Sequence, residues 1–316
     1  MLGYAVRRLL QLIPVLLGIS LVVFLIMALL PGDPALAILG PYATPEALAS
    51  LRGELGLDEP LWRRFLLWLG NLLQGDLGRS VALQRPVTDE IAERVGPTLL
   101  LAAAALSLSV VLGLAAGAFA AAHRRRWQDQ LVTFTVLLGI SAPQFWLAML
   151  LILVFAVWLQ WLPVSGMYAV YGGGGALDLL RHLALPALSL AVVVTGVLAR
   201  LSRAAMLEEL SQDYVRMARA KGLSEARVVY RHAFLNMLGK MMPVIGLQMG
   251  FLLGGAVYIE TVFQWPGLGR MLVDAIAARD LPLVQGGVLV MAGAYVLVNL
   301  LADLLQHLLD PRVRLS

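Results

Sequence analysis

Long apolar stretches alternate with shorter polar segments along most of this sequence. The first stretch follows Arg7 and Arg8 and runs from Leu9 to Leu30 without a charged residue. As a helix it would rise about 33 Å, which is too long for the apolar core of a cleavable signal peptide and long enough to cross a bilayer. We therefore predict an uncleaved membrane-spanning helix at the N-terminus.

Five further apolar stretches have the length of a membrane span. They cover residues 97–122, 131–160, 184–203, 239–262 and 283–307. The stretch 131–160 is too long for one perpendicular crossing and contains Pro143, which predicts either one tilted, kinked helix or two shorter helices. The pattern as a whole predicts an all-α polytopic membrane protein with six transmembrane helices.

A long polar region, residues 31–96, separates the first span from the second. Within it Leu61, Phe65 and Leu72 recur at helical spacing, which predicts an amphipathic helix that begins near Pro60. Such a helix either lies on the membrane or packs over the bundle of spans.

Basic residues predict how the chain is oriented in the membrane. They cluster at Arg7–Arg8, at Arg124–Arg126, from Arg200 to Lys240, and at Arg312 with Arg314. Because loops rich in Lys and Arg tend to stay cytoplasmic, and because six spans put all four clusters on one side, both termini are predicted to be cytoplasmic. This holds only if residues 131–160 cross once.

The predicted organisation follows from these spans. Residues 1–30 form the cytoplasmic N-terminus and first span, 31–96 a large extracytoplasmic segment, 97–307 the transmembrane core, and 308–316 a cytoplasmic tail. The core contains a cytoplasmic loop at about 204–238.

Composition agrees with a membrane protein and excludes several kinds of site. The chain is 60% hydrophobic and 14% charged, with a mean hydropathy of +0.82, whereas soluble domains carry about 25% charged residues. It has no cysteine, which rules out disulfides, thiolate metal sites and a cysteine nucleophile. The four histidines are scattered without the paired spacing of a metal site, so we predict no metal. Membrane orientation accounts for the net charge of +4, and we predict no nucleic-acid partner.

The cytoplasmic loop carries the most informative motif. Gly222 predicts a left-handed turn that ends a first short helix, and Ser224 predicts the N-cap of a second helix that starts at Glu225. The resulting helix–turn–helix presents basic residues, which suits docking into a groove on a partner protein. A basic loop lying on anionic lipid explains the charge equally well.

At these residues the chain resembles the inner-membrane permease subunits of binding-protein-dependent ABC importers, in particular the B-type subunit of the dipeptide/oligopeptide/nickel branch. In the general family pattern Glu-Ala-Ala-x-x-x-Gly, Gly222 takes the glycine position and Ala218 the second alanine, whereas Arg216 replaces the glutamate and Met217 the first alanine. Further segments resemble the same branch in the same order. They are Leu30–Pro34, Leu55–Asp58, Gln74–Gly78, Ser141–Trp146, Ile259–Phe263 and Pro266–Gly269.

The resemblance implies the function and the partners. The chain would be the permease of an ATP-driven importer in the bacterial inner membrane and would form half of the translocation path. Its partners would be a second homologous permease subunit, two ABC ATPase subunits, an extracytoplasmic substrate-binding protein and the lipid bilayer. The chain would be neither an enzyme nor a cofactor carrier, because ATP and Mg would be bound by the ATPase subunits. It has no Gly-x-x-x-x-Gly-Lys-Ser/Thr loop that would bind ATP itself.

The resemblance also assigns the contact with the ATPase subunits to the cytoplasmic loop. The implied coupling residues are Asp213, Tyr214, Val215, Arg216, Ala218, Arg219, Ala220, Lys221, Gly222, Leu223 and Ser224. Dipeptides or oligopeptides are the favoured cargo, and nickel, glutathione and metal chelates are alternatives that the path residues do not distinguish.

A few residues inside the spans are further candidates. Gly246, Gly250 and Gly254 recur four apart, which predicts a close helix contact with another span or with the partner subunit. Glu260, near the outer end of its span, either contacts substrate or is paired with Arg270 or Arg279. Asp303 and His307 are predicted to lie at the inner interface, and Gly172–Gly175 to form a flexible outer loop.

Two other functional classes fit the sequence less well. A secondary transporter would show paired interrupted helices and buried carboxylates for ion coupling, and the inner helices here carry almost no charge. A membrane-embedded hydrolase would need a base beside a nucleophile such as Ser165, and no histidine is evidently placed to activate it.

Overall fold

The computed structural model describes residues 2–29, 34–40, 43–54 and 56–309. Most of these residues lie in helices, and within the described ranges the only β-type pairing is an isolated bridge between Arg79 and Pro86. The predicted all-α architecture is confirmed. The chain divides into two compact units, one comprising Met1–Pro97 and Pro266–Val296 and the other Thr98–Trp265 and Leu297–Ser316.

The first unit begins with four helices: α1 (Leu2–Leu29), α2 (Pro34–Leu39), α3 (Pro45–Glu54) and α4 (Leu61–Leu73). The amphipathic helix predicted after Pro60 is α4. It packs on α1 through Phe65 and Phe24, whose ring centroids lie 5.4 Å apart, while Trp62 and Leu67 stay exposed. One side of α4 thus packs against α1. This contact fits the predicted alternative in which the amphipathic helix packs over the spans.

The same unit includes the start of α5 (Val87–Ala122), all of α12 (Leu268–Ala277) and the start of α13 (Leu281–Leu309). Apolar side chains from these helices form its core, including Val87, Ile91, Leu268, Leu272 and Leu283.

The second unit is built around the long helix α8 (Ala176–Leu210). The rest of α5, α6 (Trp127–Ser141), α7 (Gln144–Leu151, continuing as a π-helical stretch Ile152–Trp158) and α11 (Phe234–Val262) complete its set of long helices. Small residues let α5 approach α8 closely. A Cβ on Gly113 would lie 2.7 Å from the Leu198 Cβ, and the Ser202 hydroxyl donates to the Gly113 carbonyl at 3.2 Å.

The predicted span 131–160 is broken. The chain bends by 107° between helix α6 and the helix Gln144–Trp158, with Ala142 in extended conformation and Pro143 at φ −60° and ψ 133° between them. Proline has no N–H to continue the helix and disfavours helical backbone at the residue before it, so the break falls at this pair. Of the two predicted alternatives, the structure shows two shorter helices.

Four described helices are long and apolar enough to span a membrane: Val87–Ala122, Ala176–Leu210, Glu225–Val262 and Leu281–Leu301. The broken pair would be a fifth. Helix α1 is 28 residues long, and its part Ile13–Ile26 forms a shorter apolar helix. The chain is therefore a helical multi-pass membrane protein.

Candidate functional site

The loop predicted to be cytoplasmic forms the short helix α9 (Asp213–Ala220), which ends in a left-handed glycine turn. Gly222 has φ +80°, as predicted. Its N–H donates to the Arg219 carbonyl at 2.9 Å, and the N–H of Leu223 donates to the Ala218 carbonyl at 3.3 Å. These two bonds are those of a Schellman motif, which satisfies the carbonyl groups left open at the helix end.

The helix that follows the Gly222 turn differs from the prediction. Ser224 takes the extended N-cap conformation before α10 (Glu225–Arg227), but its side chain makes no capping hydrogen bond. The short second helix does not end within the loop either. It continues through a π-helical stretch, Val228–Ala233, into α11, so that residues Glu225–Val262 are helical throughout. No residue between Glu225 and the span breaks the helix, and the loop therefore joins the membrane-spanning helix directly.

Helix α9 has one buried and one exposed face. Val215 and Ala218 are buried in the core of the second unit, so these two predicted coupling residues hold the helix on its own chain. The exposed positions are Asp213, Arg216, Met217, Arg219, Ala220 and Lys221. Met217 is 57% exposed and was not among the predicted contacts, although it lies on the face opposite Val215.

Arg219 closes the turn. Its guanidinium group contacts the Glu225 carboxylate through two N–O pairs, at 2.7 and 3.3 Å. Because both side chains are exposed, this pair contributes only weakly to stability. It does connect the end of α9 to the start of α10.

A second polar network ties α9 to two spans. The Tyr214 hydroxyl donates to the Glu209 carboxylate of α8 at 2.6 Å, and Lys240 of α11 lies 2.8 Å from the other oxygen of Glu209. Lys240 also contacts Glu208 at 2.7 Å. Burial raises the pKa of the Tyr214 hydroxyl, and the hydrogen bond to Glu209 raises it further. The sequence pointed to Tyr214 but not to Glu209 or Lys240, because their pairing depends on tertiary structure.

A third ionic contact joins the start of α6 to α8. Arg203 donates to Asp129 through Nε at 2.6 Å and Nη2 at 2.7 Å, in the two-pronged geometry that favours Arg–carboxylate pairs. The buried Asp129 also accepts the N–H of Arg125 at 3.1 Å. Sequence reasoning missed this pair, whose members are 74 residues apart.

The glycines predicted to pack lie in different surroundings. Gly250 is buried, whereas a Cβ on Gly254 would meet no atom within 4 Å. The neighbouring Gly255 lies against Gln144 of α7 and Leu190 of α8, at 3.1 and 3.2 Å from its Cβ position. Contacts of Gly246, Gly250 and Gly254 with another subunit remain a prediction.

Glu260 is fully buried near the end of α11. The Thr98 hydroxyl donates to its carboxylate at 2.6 Å, and the Trp265 N–H donates to its backbone carbonyl at 2.8 Å. A role of Glu260 in the substrate path remains a prediction. The side chains of Asp303 and His307 and the tail residues 310–316 lie outside the described part of the chain.

Within the described ranges, no three His, Asp or Glu side chains come together in a way that would hold a metal ion. His182 lies beside Asp178 at 3.1 Å, and the Nδ1 atom of His123 contacts the Phe119 carbonyl. Both histidines therefore have local partners.

Curated proteins of similar sequence match the chain over its whole length. The glutathione transport system permease protein GsiC of Escherichia coli strain K12 is 45% identical over 314 residues, which cover 99% of both chains. The protein of the same name from Shigella dysenteriae serotype 1 strain Sd197 matches to the same extent.

Solved structures show a similar fold at low sequence identity. A structure of the MetNI methionine ABC transporter in inward-facing conformations matches with a TM-score of 0.55 and 16% identity, over 70% of this chain and 96% of that one. An amino acid ABC transporter structure matches with a TM-score of 0.52 and 15% identity, over 72% and 95%. At this identity the likeness concerns the fold alone.

Two family models together account for almost the entire sequence. The model of the binding-protein-dependent transport system inner membrane component matches residues 113–315, and the model of the N-terminal part of such membrane components matches residues 1–102. The chain therefore belongs to the inner membrane components of binding-protein-dependent transport systems and is a permease subunit of an ABC importer of the peptide/nickel family.

Proposed function

We propose that this permease imports small peptides of the glutathione class. The observation that carries the proposal is the 45% identity to glutathione transport system permeases over 99% of both chains. Glutathione was predicted as one of the alternatives to dipeptides and oligopeptides, and it is itself a short peptide. We propose further that the chain forms half of the path, and that a second homologous permease, two ATPase subunits and an extracytoplasmic substrate-binding protein complete the transporter.

We propose six spans, with both termini cytoplasmic and residues 31–96 extracytoplasmic. The arms of the broken pair are 15 residues each, about 22 Å long. Because the second arm is bent by 107° away from a straight continuation of the first, the two reach about 27 Å end to end, close to the thickness of the hydrocarbon core of about 30 Å. Two tilted arms therefore suffice for one crossing.

The contact between Asp129 and Arg203 supports a broken pair that crosses the membrane fully, rather than one that enters and leaves on the same side as a re-entrant loop. These residues lie at the same end of the second unit, because their side chains form an ion pair. Helix α8 crosses once between Ala176 and Arg203. The segment from Asp129 to Ala176 must then cross an odd number of times, and the broken pair is its only crossing element. The basic residues Arg124–Arg126 and the α9 loop share one side as a result.

Contacts at the opposite end agree with this topology. Thr98 near the start of the apolar part of α5 contacts Glu260 near the end of α11 at 2.6 Å. The N–H of Gly166, in the loop after the broken pair, donates to the Phe263 carbonyl at 2.8 Å. These residues form the extracytoplasmic end in the proposed orientation.

We propose that the exposed face of α9 docks on an ATPase subunit. Arg216, Met217 and Lys221 offer one apolar and two cationic side chains, while Val215 and Ala218 hold the helix on its own chain. A helix seated in a partner's groove moves with that groove, so closure of the ATPases on ATP and Mg would displace α9. The Tyr214–Glu209–Lys240 network would pass the displacement to α8 and α11. Alternating access of this kind needs two packing arrangements and no catalytic residue on this chain.

Transport in proteoliposomes tests the proposal. The complex is reconstituted with its binding protein and ATP, and uptake of labelled glutathione is compared with uptake of labelled dipeptides. We expect ATP-dependent glutathione uptake, abolished when the ATPase subunits cannot hydrolyse ATP. ATP-dependent uptake of dipeptides or of nickel without glutathione would contradict the proposed cargo but would leave the importer assignment intact.

A further inference from the structure

The loop between the broken pair and α8 presents apolar side chains on an ordered turn. Val170 is 89% exposed and Tyr171 is 93% exposed, and Trp158 and Trp161 lie exposed at the start of the same loop. We define the outer tip as residues 169–174. The predicted flexible loop Gly172–Gly175 overlaps this tip, whose backbone makes specific contacts in the structure.

One carboxylate holds the outer tip. A single oxygen of Asp178, in the first turn of α8, accepts the N–H of Ala169 at 2.9 Å and the N–H of Gly174 at 3.2 Å. Its other oxygen lies 3.1 Å from Nδ1 of His182. Both ends of the tip are thereby attached to the same side chain of a rigid helix.

The glycines of the tip allow both of its ends to reach the Asp178 carboxylate. A Cβ on Gly173 would lie 2.5 Å from the Ala169 carbonyl oxygen and 2.6 Å from the Asp178 carboxylate, so only glycine fits there. Gly172 and Gly174 have φ +70° and +124°, which residues with side chains rarely adopt. The sequence around Tyr171 therefore builds a fixed turn whose two largest apolar side chains project outward.

The charge pattern indicates what covers this surface. Residues 130–177 contain no Asp, Glu, Lys, Arg or His, although the loop 159–175 lies outside the helices. A loop in free contact with water normally carries charged or strongly polar residues. Exposed Trp and Tyr without charges are typical of the membrane interface, where the aromatic rings lie at the level of the lipid head groups.

The register of α8 gives the depth of the outer tip. Between Arg181 and Arg200 the helix has no Asp, Glu, Lys or Arg, and this part rises about 28 Å, close to the thickness of the hydrocarbon core. Arg181 therefore marks one boundary of the core. Asp178 lies only about 4.5 Å further out along the helix, which puts the tip that it holds in the head-group layer.

We propose that the outer tip is a membrane anchor, in which Val170 and Tyr171 insert into the head-group and upper acyl region of the outer leaflet. Asp178 orients the tip for insertion. The anchor fixes the depth of α8, whose other end leads directly to α9. The inference rests on the proposed topology, which puts the tip on the outer side, and it is independent of the cargo and of the ATPase contact.

Spin labelling measures the depth directly, because the chain has no native cysteine. The full-length Tyr171→Cys variant is labelled in nanodiscs of phosphatidylethanolamine and phosphatidylglycerol. Its collision rates with oxygen, which concentrates in lipid, and with a water-soluble nickel chelate are then compared. The matched control is Asp213→Cys, because the native Asp213 side chain is also 93% exposed but lies on α9. We expect an oxygen-to-chelate ratio several-fold higher at residue 171 than at residue 213.

A second variant tests the role of Asp178. Adding Asp178→Ala to the labelled protein removes the acceptor for both N–H groups, so the label should become more mobile and its oxygen-to-chelate ratio should fall. An unchanged spectrum and ratio would show that Asp178 does not orient the tip. Free access of the chelate to residue 171 in the single variant would overturn the anchor itself. If the extracytoplasmic binding protein then shielded the label, the outer tip would instead be a protein-docking surface.

Discussion

The Tyr214 hydroxyl lies 2.6 Å from the Glu209 carboxylate, and this contact connects the helix proposed to touch the ATPase with the central span α8. Lys240 approaches the same carboxylate from α11 at 2.8 Å. Glu209 is thus the point where three helices meet. In the proposed coupling, a motion of α9 would reach two spans through this buried carboxylate.

Replacing Tyr214 with Phe should weaken this connection without unfolding the protein. The substitution removes one hydrogen bond to a charged group, worth about 1.5–3 kcal/mol, while Lys240 still neutralises Glu209. We expect uptake per ATP hydrolysed to fall while the complex still assembles. The measurement is the ratio of transport to ATPase activity in proteoliposomes.

Tyr230→Phe is the matched control, because the Tyr230 side chain is half exposed and lies outside the Tyr214–Glu209–Lys240 network. It should transport like the unmodified protein. Equal coupling ratios in the two variants would remove Tyr214 from the transmission route.

Lys240→Met should lower stability, because it leaves the buried Glu209 carboxylate without its cation. A buried acceptor that loses its partner costs about 1–3 kcal/mol, and the partial exposure of Lys240 favours the lower end of this range. The midpoint of thermal unfolding in detergent should fall for Lys240→Met. It should fall less for Lys240→Arg, which keeps the charge.

The double variant Glu209→Gln with Lys240→Met separates this pairing from general damage. If the two groups interact, removing both should cost less than the sum of the single losses. Strictly additive losses would mean that Glu209 and Lys240 do not stabilise each other.

Gly222→Val should misalign α9 and uncouple transport from ATP hydrolysis. A Cβ at this position would meet no atom within 4 Å, so the effect comes only from the left-handed backbone, at about 1–2 kcal/mol. Gly222→Asn tolerates that conformation better and should keep more of the coupling. If the valine variant takes up cargo at a normal rate per ATP hydrolysed, the turn does not set the position of α9.

The proposed topology predicts a pattern of thiol labelling in intact cells. Cysteines introduced by Arg126→Cys and Ser211→Cys should react with a membrane-impermeant reagent only after permeabilisation. A cysteine from Ser165→Cys should react from outside. Labelling of residues 126 and 165 from the same side would mean that the broken pair is a re-entrant loop.

Much of the architecture could be predicted from periodicity and local turn chemistry. The apolar spans follow from helix length against bilayer thickness, and the Gly222 turn follows from the conformations open to glycine. The 107° break could be located at Pro143 but its angle could not, because packing of both arms against α8 sets the angle. The pairs Asp129–Arg203 and Glu209–Lys240 join residues far apart in sequence, and nothing in their local surroundings predicts them.

The predicted coupling motif divides into two faces in the structure. The motif Asp213–Ser224 was treated as one contact surface, yet a helix of two turns cannot present every residue to a partner. Val215 and Ala218 lie three apart on the buried side, while Met217 lies on the exposed side. Helical spacing within the motif could have separated the two faces.

The proposed coupling requires the exposed face of α9 to contact an ATPase subunit. To detect this contact, a photo-crosslinking amino acid replaces Met217 and is activated in native membranes, and the crosslinked products are identified by mass spectrometry. We predict a crosslink to a Walker-motif ATPase, and none from the buried position 215 in the same helix. Crosslinks from residue 217 to lipid alone, in membranes where other ABC complexes stay intact, would show that α9 is a basic element lying on the bilayer and would contradict the account.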